Sequence, residues 1–271
     1  MDRRLTPFSG RIAHESLKGL ISDVPFTKGE PAMIGAGLAL LLKSPAGAVD
    51  RQLIHGDPVT VIDRQEGYAF VMAAKDGFCG WLKEAELTAE ITPTHRVISP
   101  ATHLYSGPKV QAEKLLPLYL NAHVQLLEVE GKWARSTAGY IPLSHLAPIA
   151  QKAKDPVTVA ETLLHAPYYW GGNSVAGVDC SGLVQLSFHA CGKSIAGDSD
   201  LQALGGKEVA QGSEQRGDLI FWKGHVALIA GDDLILHANA HHMCVAFEGL
   251  SAAIARIEAQ GDGPVTARRR Y

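Results

Sequence analysis

The sequence predicts an α+β chain, with small β-barrels in its first half and a helix-then-sheet domain in its second. Three observations carry this expectation. Before about residue 150, short β-type runs alternate with Gly, Pro and Asp turns, and a glycine–aromatic pattern recurs within them. After it come two helical patterns. These are followed by strands joined by a tight turn, the order that builds an α+β domain.

At 271 residues the chain can bury a large core and hold more than one domain. Its 25 Lys and Arg nearly balance 28 Asp and Glu. That argues against nucleic acid or an anionic membrane as the main partner. The one basic cluster, Arg268 to Arg270, reads as a short solvated tail. The N-terminus has two arginines but no apolar run long enough for a signal segment. Met33 to Leu42 is interrupted by Gly35 and Gly37, and is far short of the about 20 apolar residues a bilayer needs. The expectation is therefore a cytoplasmic protein. Cys79, Cys180, Cys191 and Cys244 form no CxxC pair, which speaks against a disulfide framework or a structural zinc site.

In the first half, Gly80-Trp81-Leu82 is followed by Leu87, and Gly139-Tyr140-Ile141 by Leu146. Upstream, the run from Asp57 through Gly67-Tyr68 parallels the run from His123 through Gly131 and Trp133. Each unit reads as alternating strands, a turn, and an aromatic strand at its end. The pattern resembles bacterial SH3-like domains in tandem. It suggests an N-terminal arm over residues 1–30, one barrel over 31–91 and a second over 92–150, with Trp81 and Trp133 as barrel-core residues.

The remaining domain, 151–271, opens with Asp155-Pro156, an N-cap followed by proline at the first helical position. Val159, Leu163 and Leu164 recur at helical spacing until Pro167. A second helix is predicted from Cys180 to Cys191, with Gly192 just beyond. Strands are predicted over Asp218–Trp222, His225–Ala230, Leu234–Ala238 and Met243–Phe247, with Gly231-Asp232-Asp233 turning the hairpin.

A glycine-rich loop thus delivers Cys180 to the first turn of a helix. Backbone N–H groups and the helix dipole there favour a thiolate, and the same N–H groups can hold a developing oxyanion. His225 begins one strand and His237 ends the next, near the same end of an antiparallel pair. One imidazole can then serve as base and the other orient it. We assign His225 as base and His237 as orienter; spacing alone leaves the reverse open. His237, His241, His242 and Cys244 also allow a metal reading, but β-type residues before His237 argue against a helical zinc pair, so no metal is expected.

Tyr168-Tyr-Trp-Gly-Gly precedes Asp179-Cys180-Ser181-Gly-Leu-Val, and Gly-Asp-Leu-Ile-Phe-Trp, Gly-His-Val-Ala-Leu-Ile and Leu-His-Ala follow it. This series resembles the NlpC family of cell-wall cysteine peptidases over about 120 residues. The resemblance implies a papain-like fold, hydrolysis of γ-D-glutamyl–diamino acid bonds in murein peptides without a cofactor, and substrate contacts at Tyr168, Asp179 and Ser181. With SH3-like domains in front, it further implies short peptides with a free N-terminal L-alanine, used in cell-wall recycling. Two positions depart from the family pattern: Ala196-Gly197 replace a Pro-Arg pair, and Phe78 stands where a tyrosine is usual. Two other readings compete. One is a catalytically silent binder of wall peptides, which the intact Cys180, His225 and His237 disfavour. The other is a thiol amidase or acyltransferase of the same fold acting on lipids, which the barrels and lack of an apolar anchor disfavour.

Overall fold

The computed structural model describes residues 1–271, which form two compact units, Met1–Ala150 and Gln151–Tyr271. The first unit is built almost wholly of antiparallel strands. One sheet has seven, in the order Val49–Ile54, Leu38–Leu42, Cys79–Lys83, Tyr68–Ala73, Pro58–Gln65, Glu30–Ile34 and Leu87–Thr88. Its inward residues, among them Ile34, Leu41, Leu53, Val71, Phe78 and Leu82, make one apolar core. Phe70 and Trp81 pack in a second cluster, with ring centroids 5.4 Å apart. A five-stranded sheet (Ala101–Tyr105 to Tyr140–Pro142) and a three-stranded one enclose a separate core around Leu104, Leu118, Val124 and Ile141. Trp133 is only partly buried and meets Tyr105 edge-on. The N-terminal residues are tied to the seven-stranded sheet through Arg3 to Asp50, and Ser9 and Arg11 to the buried Asp63.

In the second unit, helix α1 (Pro156–Glu161) starts where expected: Asp155 caps it, accepting from the amides of Val157 and Thr158. It ends earlier than the apolar spacing suggested, and Thr162 to His165 continue as turns. Helix α2 (Cys180–Ala190) is buried along nearly its whole length. That explains why its apolar residues are not confined to one stripe. Helices α3 (Ser199–Gln202) and α4 (Leu250–Ala259) were not anticipated. A six-stranded antiparallel sheet runs Lys207–Glu208, Ala267–Arg270, Leu219–Trp222, His225–Gly231, Leu234–Asn239 and Cys244–Gly249. Gly231 pairs with Leu234, so Asp232-Asp233 alone turn the central hairpin, with Asp233 at positive φ.

The solvated-tail reading of Arg268 to Arg270 is corrected. These residues lie in an internal strand of the sheet, between Leu219–Phe221 and Lys207–Glu208. Arg268 pairs with Glu214, Arg269 donates to the Ala203 carbonyl, and Arg270 makes two hydrogen bonds to the buried carboxylate of Asp218. The guanidinium groups find partners the local sequence does not contain. No helix of the chain is long and apolar enough to cross a membrane.

Candidate active site

Cys180 opens α2, and its sulfur is buried. Asp179 fixes that position by several bonds at once. Its Oδ1 accepts from the Gly182 amide (2.7 Å) and the Ser181 hydroxyl (3.1 Å), while Oδ2 accepts from the Gly171 amide (2.8 Å). One carboxylate therefore caps the helix and clamps the glycine loop to it. Gln202 of α3 holds the same turn from behind, donating its fully buried amide to the carbonyls of Ser181 and Ala196. The Ser181 side chain is buried. Tyr168 is partly buried, and burial, reinforced by its nearness to Cys180 and Asp179, pushes its phenol pKa up. It stays protonated as a donor.

The two histidines arrive by strand register. Leu228 pairs with Leu236, so His225 and His237 share one face of the hairpin as diagonal neighbours. Their rings meet: His225 Nε2 is 2.9 Å from His237 Nδ1. On the next strand, His237 pairs with Ala246, which places Glu248 on the same face two residues further. Its Oε2 is 3.1 Å from His237 Nε2. Arg256 of α4 closes the row, with Nε 2.8 Å from Glu248 Oε1 and Nη2 2.7 Å from Oε2. Beside His225 opens a cleft of about 350 Å³, lined by Tyr168, Lys223, His225, Asn239, Arg256 and Asp262 among others.

The electrostatics differ from the sequence expectation in one respect. Amide N–H groups of Val226, Ser181 and Cys180 do point at the sulfur and favour the thiolate. Burial outweighs them, with help from the Asp179 charge, and pushes the Cys180 thiol up to about 12. Burial also lowers His225 to about 4, aided by the Arg256 charge, and His237 to about 3, aided by His225. The resting site thus holds a neutral thiol and neutral imidazoles. Burial of this kind favours proton transfer in step with attack on the substrate.

This burial has a thermodynamic consequence. An unfolded histidine titrates near 6.5. As pH falls from there towards about 4, the unfolded chain takes up protons that folded His225 and His237 refuse. Their contribution to stability is intact above about pH 6.5 and is lost on acidification, at up to about 1.4 kcal/mol per pH unit for each ring. Thermal melts of the wild type between pH 7 and pH 5 are expected to show a falling midpoint. His237→Gln is expected to fall less steeply; an identical slope in the variant would contradict the neutral assignment.

Of the residues in the metal reading, His237 and His242 come together, joined by Glu248 rather than by His241 or Cys244; the ligand atoms of these three lie within 4.8 Å of one another. Both nitrogens of His237 and both oxygens of Glu248 are already engaged by neighbours, and His242 Nδ1 meets Asn239 Oδ1. His237 is on a strand, so the helical pairing with His241 does not arise. Sequence reasoning missed Glu248, Arg256 and Gln202. The Leu250, Ala253, Ile254 and Ile257 spacing was the available signal for α4.

The chain is also similar to known proteins. Residues 165–254 match the NlpC/P60 family, and residues 41–87 match the bacterial dipeptidyl-peptidase Sh3 domain. A gamma-D-glutamyl-L-lysine dipeptidyl-peptidase of Bacillus subtilis (strain 168) is 32% identical over 216 residues, 70% of this chain and 72% of that protein. Dipeptidyl-peptidase 6 of Lysinibacillus sphaericus is 27% identical over 237 residues, 77% of this chain and 87% of its own length. In fold, the chain is similar to the crystal structure of an NlpC/P60 family protein from Bacillus cereus ATCC 10987, with a TM-score of 0.78 at 22% identity, covering 89% of this chain and 99% of that one. With a buried cysteine at a helix start beside a paired-histidine hairpin, and with this extent of likeness, the chain belongs to the NlpC/P60 family and is a cysteine peptidase.

Proposed function

We propose that the chain removes an N-terminal dipeptide from short murein peptides by cutting the bond between γ-D-glutamate and a diamino acid. The observation that carries this reading is Cys180 at the start of α2, with the Val226 amide of the histidine hairpin at its sulfur and His225 hydrogen-bonded to His237, in a chain similar along most of its length to named dipeptidyl-peptidases. Cys180 Sγ attacks the γ-carbonyl carbon as its proton passes to His225. The sulfur–carbon bond forms, and the oxyanion takes the amides that lie around the sulfur. The carbon–nitrogen bond then breaks, and the leaving amine takes the proton from His225. Water, activated by the same ring, hydrolyses the thioester. No cofactor enters. His237 orients His225.

Tyr168 lines the cleft as a hydroxyl donor. Asp179 is assigned to the substrate ammonium, with whatever capacity its helix-cap bonds leave, and Ser181 to the peptide backbone. We further assign a second SH3-like barrel to residues 92–150 beside the matched one, and a free terminal amine as the substrate requirement. Phe78 is fully buried in the first unit with the Arg51 guanidinium 5.0 Å over its ring, so it packs rather than recognises an amine.

The test is to incubate wild type with L-Ala-γ-D-Glu-L-Lys, its diaminopimelate counterpart, and N-acetylated forms of both, and to identify products by mass. L-Ala-D-Glu and the free diamino acid are expected only from the unacetylated peptides. Equal cleavage of the acetylated forms would refute the dipeptidyl-peptidase reading.

A further inference from the structure

Behind the two histidines, Glu248 and Arg256 do work that neither ring can do for itself. A neutral imidazole carries one N–H, on one nitrogen or the other. Two such rings in contact can be arranged in two ways that satisfy the bond between them equally well. In one, His225 donates to His237. In the other, His237 donates to His225, whose own proton then sits on Nδ1. Only the first leaves His225 Nδ1 as a lone pair able to take a proton from sulfur.

We propose that Glu248, held by Arg256, is a positioning residue that sets the direction of this histidine pair. The proposal rests on the roles given above to Cys180 and His225. An ionised carboxylate accepts and cannot donate. The 3.1 Å contact therefore requires the proton of His237 to be on Nε2. Its Nδ1 is then an acceptor, and the 2.9 Å contact requires His225 to donate from Nε2. His225 Nδ1 is left bare, the one ring nitrogen of the pair free to receive the thiol proton. When it does so, the new imidazolium already donates into a chain that ends on a negative charge.

Arg256 makes the carboxylate dependable. Its two short hydrogen bonds lower the pKa of Glu248, so it remains ionised in a setting where burial alone would raise it. The other charged or titratable groups near the row are His242, whose ring lies 6.3 Å from that of His237, Asp262 beyond α4, and Tyr168, Lys223 and His241 along the cleft. None of these makes a hydrogen bond to His237, whose nitrogens are both taken. The strand also makes the assignment geometric: with His237 opposite Ala246, residue 248 is the next position on that face.

The direct test is imidazole nitrogen NMR on the intact, uniformly ¹⁵N-labelled wild type at pH 7. His225 is expected to show Nδ1 unprotonated and Nε2 protonated. Protonation on Nδ1 would overturn the proposal, and this measurement needs no variant to fold. In Glu248→Gln the amide can either donate or accept, so both directions become available and a mixture of tautomers is expected. The kcat should fall about 100-fold with KM within about twofold, because the new imidazolium loses the negative charge that stabilises it as well as the tautomer bias. Glu248→Asp should recover part of the loss. Because Glu248→Gln leaves Arg256 without its ion partner, Glu248→Gln/Arg256→Met serves as the neutral control and should show the same kcat loss. Unchanged kcat together with an unchanged tautomer in either variant would refute the idea. Failure of wild type to cut the peptides would instead count against the substrate reading, and the tautomer measurement would still stand.

Discussion

Cys180→Ala is expected to lower kcat/KM on L-Ala-γ-D-Glu-L-Lys by at least about 10⁴-fold, some 5 kcal/mol of transition-state stabilisation. The reason is that the sulfur supplies the bond that divides one difficult hydrolysis into two easier steps, and alanine offers nothing in its place. What remains is binding and the amides of Ser181 and Val226, which still polarise a carbonyl placed there. His225→Ala should cost a comparable factor. The thiol is held up near 12 by burial, so without an acceptor for its proton almost none is nucleophilic at neutral pH. The two losses should not add: the double variant is expected to be no worse than the poorer single one, because each removes the same step. Peptide turnover followed by mass gives both results. Residual activity above one part in a hundred in Cys180→Ala would remove the sulfur from the chemistry. If wild type itself showed no turnover while both proteins bound the peptide equally, the chain would act as a binder.

The parts of this site that were legible in the sequence are those whose causes are local. Asp179 before Cys180 marks a helix start because a cap acts within three residues, and the structure shows that cap. His225 and His237 could be set near the same end of an antiparallel pair because the turn between them is short; that both rings share one face depends on the register shift between Ile229 and Gly231, which the turn residues do not announce. What was not legible depends on depth or on distant partners. The helix start argued for a lowered thiol pKa, but how much water burial removes from Cys180 depends on the whole fold, and burial wins. Arg268 to Arg270 looked like a tail since Glu214 and Asp218 lie more than 50 residues back in sequence. Glu248 and Arg256 are separated by a strand end and two helical turns. Only the register of Cys244–Gly249 against Leu234–Asn239 brings the carboxylate to His237.

Gly182→Ala offers a case where local and tertiary reasoning give opposite signs. Inside a helix, alanine is favoured over glycine by about 1 kcal/mol, so propensity alone forecasts a more stable protein. Yet a Cβ at residue 182 would collide with the backbone carbonyl oxygen of Gly172, and Asp179 Oδ1 would stand 3.1 Å away. Neither can step aside cheaply. The Gly172 carbonyl accepts from the Asp179 amide, and the Asp179 carboxylate holds the Gly171 and Gly182 amides. To make room, the first turn of α2 must move off the glycine loop, at a cost of about 1 to 3 kcal/mol for overpacking plus the weakened cap. Tertiary contact is therefore expected to win, with a lower melting temperature than wild type. The functional effect should be larger than the stability effect, since the same turn carries the sulfur. A displacement of about 1 Å at a reacting atom costs about 100-fold in rate. At a temperature where the variant is fully folded, kcat is expected to fall by about that factor while alkylation shows the thiol still present. A Gly182→Ala protein that melts higher than wild type and retains full turnover would mean that the loop yields. The nucleophile's position would then not depend on the contact between α2 and the Gly171-Gly172 turn.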